Sequence, residues 1–153
     1  MPLELVFDQG FGDLFVIRIA GNIVAPSQIG SVEFAAERFG TPLVVVLGHS
    51  GCGAIEATLD ELLVPESIQS HHQLSIVDRI RPSVEPLLAT ELRRDRDALV
   101  REAVRANVRA SVKQLCHGSE IIEKLSGDGL LRIVGAEYSL ETGVVEFFED
   151  VTD

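Results

Sequence analysis

Five consecutive apolar residues, Leu43 to Leu47, constrain this chain more than any other stretch. They show no alternation of polar and apolar side chains. A strand made of them has both faces buried, as in the interior of a parallel sheet. Gly40-Thr41-Pro42 interrupts the chain before the run, and Gly48-His49-Ser50-Gly51-Cys52-Gly53 forms a loop after it. A helical pattern then runs from Ala54 to Leu63. Buried strand, glycine-rich loop and helix together make the repeating unit of an α/β sheet, in which ligands bind beyond the carboxyl ends of the strands. His49 and Cys52 lie at that place.

The rest of the chain supplies elements for such a fold. Leu3 to Phe7 is a short apolar run, ended by the turn-rich Asp8-Gln9-Gly10-Phe11-Gly12-Asp13, and Leu14 to Ala20 is the next strand candidate. Ser27 is placed to cap a helix over Gln28 to Phe39, with Val32, Ala35, Ala36 and Phe39 on one face. Pro65 to His72 reads as polar and irregular. Helical patterns resume at Leu74 to Leu92, at Asp95 to Cys116, and briefly as far as Leu125. Leu130 to Glu137 and Val144 to Glu149 read as strands joined by a hairpin around Glu141-Thr142-Gly143. The expectation is one α/β domain over residues 1–153: a mainly parallel sheet flanked by helices, with an antiparallel edge strand.

Composition narrows the class of function. Thirteen basic against 24 acidic residues give a net charge of −11, which repels phosphate backbones and speaks against nucleic-acid binding. No apolar run is long enough to span a bilayer, and the first residues do not have the pattern of a secretory signal. Two cysteines among 153 residues make no disulfide framework. A reducing, cytoplasmic setting is expected.

His49 and Cys52 are both good zinc ligands, and two intervening residues let both side chains turn toward one ion. Cys52 precedes a helix, whose partial positive charge favours an anionic sulfur. Two donors do not complete a zinc site, which takes three protein ligands and a water, or four. The other donors have simpler readings. Cys116 packs as a small apolar residue, His117 meets a helix end, His71 and His72 are exposed in a loop, and Asp8 and Asp13 cap turns. Arg101, Arg105 and Arg109, four residues apart, read as a solvated helix face. No dinucleotide or P-loop pattern occurs, and Ser27, Ser31 and Ser50 lack an evident base.

Longer stretches carry a resemblance. Phe7-Asp-Gln-Gly-Phe-Gly-Asp-Leu-Phe-Val-Ile-Arg-Ile-Ala-Gly-Asn22, Gly30-Ser-Val-Glu-Phe-Ala-Ala36, Pro42-Leu-Val-Val-Val-Leu-Gly-His-Ser-Gly-Cys-Gly-Ala54 and Val134-Gly-Ala-Glu-Tyr-Ser-Leu-Glu-Thr-Gly143 resemble, in order, segments of β-class carbonic anhydrases. The resemblance implies a zinc lyase interconverting carbon dioxide and bicarbonate, with metal-bound water made acidic enough to attack at neutral pH. It implies His49 and Cys52 as the second and third protein ligands of Zn2+, and Gln9 and Phe15 near the substrate pocket. It also implies a homodimer or larger assembly, to which Phe11, Leu14 and Phe15 contribute.

The family's first motif, Cys-x-Asp-Ser-Arg, lies immediately before a stretch like Met1-Pro2-Leu3-Glu4-Leu5. The resemblance therefore implies an N-terminally truncated domain without the first cysteine and the aspartate–arginine pair. A valine codon taken as the start codon would account for it. Weak zinc binding and impaired hydration are expected, unless Cys116 or His117 of another subunit completes the site. A non-catalytic scaffold or anion-binding homologue is the alternative. Carbon disulfide or carbonyl sulfide as substrate is a further one within the fold.

Overall fold

A computed structural model describes residues 1–148 of the chain. The apolar run forms β1, Leu43–His49, and β2, Arg132–Tyr138, lies parallel to it with Leu43 opposite Arg132 and His49 opposite Tyr138. The short β3, Val145–Phe147, pairs antiparallel with β2. The order is β1-β2-β3, with helices packed on the sheet and the antiparallel strand at one edge, as expected. Glu149, assigned to the last strand from sequence, lies outside the described residues.

Helix α5, Arg96–His117, organises the interior. The Asp95 carboxylate caps it, accepting from the Ala98 N–H at 3.1 Å. Its buried residues Leu99, Ala103, Val104, Val108, Val112 and Leu115 recur at helical spacing. Toward its C-terminal half they meet Val46, Ile133 and Val32 in one core cluster. Toward its N-terminal half they meet helix α3, Gly53–Leu63, and helix α4, His71–Val84, in a second. Helix α6, Glu120–Gly127, adds Ile122 to the first cluster.

Burial on β1 alternates in a way the apolar run did not announce. Val46 and Gly48 are buried on the α5 side, whereas Val45 and Leu47 are only half-buried and line a cleft. The strand expected to be buried on both faces is buried on one.

Several other expectations need correction. Leu3–Val6 forms a single helical turn, α1. Leu14 to Ala20 forms no ladder. Its backbone is extended at Ile19, but among the described residues no hydrogen-bond partner is found for the backbone groups of residues 14–18. A cleft separates the segment from β1, so strand-forming residues have no neighbour to pair with. Helix α2 runs from Pro26 to Phe39 and is not capped by Ser27. Pro26 supplies its first turn, and the Ala25 N–H donates to Gln28 Oε1 at 3.2 Å. Ser70 caps α4, so His71 and His72 open a helix, and both are exposed. That helix stops at Val84, before Pro86, and two short 3-10 turns carry the chain on to Arg94.

The loop after Ala20 is held by a polar row on α5 at positions i, i+4 and i+7. Asn107 Nδ2 donates to the Gly21 carbonyl at 2.7 Å, Ser111 Oγ to that of Asn22 at 2.8 Å, and Gln114 Nε2 to that of Val24 at 3.0 Å. Side chains thus satisfy carbonyls that a sheet ladder does not reach. Arg105 does not belong to a solvated face. Its guanidinium donates to Glu137 at 2.8 Å and Glu146 at 2.7 Å, and it stacks with Arg109 on the Phe148 ring. It thereby clamps β2 to β3.

Candidate functional site

β1 delivers its last residue, His49, to the carboxyl end of the sheet, and the three residues Ser50, Gly51 and Cys52 turn the chain there into α3. Gly48 is required by proximity: a Cβ at that position would lie 2.6 Å from Val108 Cγ2 of α5. Gly51 takes φ of 61°, a left-handed conformation that glycine adopts without a steric penalty. Ser50 anchors the turn twice. Its N–H donates to the Tyr138 carbonyl at 3.0 Å, and its hydroxyl accepts from the Leu140 N–H at 2.9 Å. The loop is thus tied to the end of β2 and to the hairpin after it.

That tie orients His49. Its Nδ1 lies 2.9 Å from the Ser50 carbonyl oxygen. A carbonyl only accepts, so Nδ1 carries the proton and Nε2 keeps the lone pair that binds a metal. This is the outer support common to histidine ligands. Cys52 is buried and stands at the N-cap of α3, its carbonyl accepting from the Ile55 and Glu56 N–H groups at 3.0 Å each. His49 and Cys52 line one cleft of about 600 Å3, walled by β1 on one side and Ile17 to Ala20 on the other.

The remaining candidates lie elsewhere. Gln9 is exposed and donates to the carbonyls of Phe7 and Asp8 in its own loop, at 2.9 and 3.0 Å. Phe15 packs with Phe34 and Phe39 in a cluster of three half-exposed rings. Neither lines the cleft. Cys116 packs against the first core cluster, where burial pushes its thiol pKa up, and His117 Nδ1 lies 3.2 Å from Glu123. Among the described residues no group of three or more His, Cys, Asp and Glu side chains comes together around a common point.

Sequence reasoning did not single out Arg18, whose charged side chain lies on the cleft wall. It donates a hydrogen bond to the Met1 carbonyl. The available signal was its position as the sole charge in an otherwise apolar run.

Known proteins match this arrangement throughout. A family model described as carbonic anhydrase covers residues 1–145. Carbonic anhydrase 2 of Mycobacterium tuberculosis is 38% identical over 140 residues, which is 92% of this chain and 65% of that protein. A carbonic anhydrase of Mycolicibacterium smegmatis is 39% identical over 150 residues, 98% of this chain and 70% of that one. Among solved structures, the β-carbonic anhydrase CcaA superposes with a TM-score of 0.84 at 26% identity, over 99% of this chain and 75% of that one. The chain belongs to the β-carbonic anhydrase family. It spans about two thirds of the length of the curated relatives it matches. Membership in the β-carbonic anhydrases accounts for the strand–loop–helix unit that carries His49 and Cys52. It does not supply a further donor beside them among the described residues.

Proposed function

We propose that this chain, by itself, is a non-catalytic β-carbonic anhydrase-like scaffold that retains an incomplete zinc site. The observation that carries this reading is the donor set: His49 and Cys52 share a cleft wall, and among the described residues no third His, Cys, Asp or Glu joins them. A zinc centre that activates water takes three protein ligands, so the residues present do not fit the group unaided. Binding should fall by orders of magnitude from the roughly 10–16 kcal/mol that full structural zinc sites gather. The three exposed rings of Phe15, Phe34 and Phe39 support an assembly role, with a homodimer or larger as the proposed state.

The second reading is zinc-dependent interconversion of carbon dioxide and bicarbonate, with the missing donor supplied from outside the chain. The orientation of His49 favours it, since Nε2 is already left free to coordinate. Gln9 and Phe15 join that reading only at a face between subunits, because within one chain they lie off the cleft. A cytoplasmic setting belongs to the same proposal; among the described residues no helix is long and apolar enough to cross a membrane.

Metal analysis and stopped-flow carbon dioxide hydration on the purified chain decide between the two. The expected result is well under one zinc per chain and little hydration above background. His49→Ala and Cys52→Ser should each remove the residual metal. Stoichiometric zinc with rapid hydration would establish the second reading instead.

A further inference from the structure

His49 and Cys52 fall short of what zinc takes, and the cleft they line favours a different class of ion. Both donors are soft or borderline. The imidazole keeps a lone pair on Nε2, because Nδ1 donates to the Ser50 carbonyl, and the Cys52 sulfur belongs to a buried residue. Met1, the sole methionine of the chain, lines the same cleft, and its thioether is a soft donor too. Among the described residues no Asp or Glu side chain stands on these walls, so the anionic oxygens that hard divalent ions favour are missing there.

Charge points the same way. The walls are largely aliphatic, with Ile17, Ile23, Val44, Val46 and Leu115 among them, and Arg18 brings a positive charge. A divalent ion on one thiolate and one neutral imidazole stays positive overall. Placing that charge among aliphatic side chains, in a cleft that Arg18 also lines, is costly. A monovalent ion on the same two donors is neutral. Coordination number separates the candidates further. Zinc takes a tetrahedral set. Monovalent copper, a filled-shell ion, is stable with two donors in a line or three in a plane.

We infer that His49 and Cys52 form a site for a soft monovalent cation, Cu(I), held in the cleft by the imidazole Nε2 and the thiolate sulfur. Binding moves one proton from the Cys52 thiol to solvent and leaves the oxidation state of the copper unchanged. The inference rests on the reading of an incomplete zinc site, since one more thiolate, imidazole or carboxylate would make the same cleft fit zinc. His71 and His72 are the competing copper ligands. They are exposed at the start of α4 and bring no sulfur.

The test titrates the purified chain anaerobically with Cu(I), delivered as its bicinchoninate complex with ascorbate present, and separately with zinc alone. The chain should take one Cu(I) from the chelator and bind well under one zinc. His49→Ala and Cys52→Ser should each weaken Cu(I) binding by about a hundredfold or more, because even the outer partners of a metal ligand are worth about 10–100-fold. His71→Ala with His72→Ala should leave it unchanged. X-ray absorption at the copper edge, on the unmodified chain, does not depend on a variant folding. It should show fewer than four neighbours, with sulfur and nitrogen among them. Copper that survives both His49→Ala and Cys52→Ser, or that has no sulfur neighbour, would overturn the inference and leave the incomplete zinc site standing. Tight, stoichiometric zinc would overturn that reading itself, and the preference for copper with it.

Discussion

Gly48 precedes His49 in β1 and Asn107 holds Gly21 of the cleft wall, and neither is a metal donor. A methyl at position 48 would meet Val108 Cγ2 at 2.6 Å and Val104 Cγ1 at 3.1 Å, both on a helix held by two cores. Gly48→Ala should therefore cost about 1–3 kcal/mol, read from the denaturant midpoint, and displace β1 from α5. Asn107 is buried and donates to the Gly21 carbonyl at 2.7 Å. Asn107→Ala leaves that carbonyl without its partner at an expected loss of about 1–3 kcal/mol. The sequence showed Gly48 as part of a glycine-rich loop but not what crowds it. Contact with Val108, sixty positions away, is decided by helix packing, and local spacing carries no trace of it. The same holds for the Arg105 clamp: four-residue periodicity put the arginines on one helix face, and only the fold brought Glu137 and Glu146 to meet them.

At the scale of elements, the connection between α3 and α4 hangs on one carboxylate. Glu61 accepts from the Ser67 hydroxyl at 2.6 Å and from the N–H groups of Glu66 and Ile68 at 2.9 and 2.8 Å. The Ser67 hydroxyl first, then these N–H groups, hold its pKa below the usual carboxylate value. The folded pKa is thus lower than the unfolded one. The stabilisation is complete above the unfolded value, about 4.3, and is lost as pH falls through the folded value. Protection of the Glu66 and Ile68 amides, measured against their intrinsic exchange rates, should fall on acidification below about pH 4, and Glu61→Gln should abolish that acid dependence. Strand β3 depends likewise on Arg105. Arg105→Ala should cost about 1–2 kcal/mol, mainly through the better-buried Glu137, since Glu146 is screened by solvent. Most elements were legible in the sequence because breakers and helical periodicity bound them. Leu14 to Ala20 was not. Its residues favour a strand, yet a strand exists only with a neighbour, and the neighbouring position is a cleft.

For the molecule as a whole, the exposed apolar surface is the feature that governs association. Phe11 is fully exposed, and Phe15, Phe34 and Phe39 form a cluster of half-exposed rings. Patches of that kind mark association surfaces. Light scattering should find the chain self-associated at micromolar concentration, and Phe34→Asp with Phe39→Asp should shift it to monomer without lowering the Tm of that monomer. The family and the two candidate ligands could be read from sequence because the motif around Gly48 to Gly53 is contiguous. The completeness of the site could not, since it depends on which donors converge in space. Ser50 carries one more consequence. Because its N–H and hydroxyl both grip the segment after β2, the bearing of the His49 imidazole is set partly by residues 138–140, which stand at the far end of a rigid linkage. Hairpin changes that never touch the ring would swing its free nitrogen, so relatives with identical donors but different hairpins need not aim them at the same point.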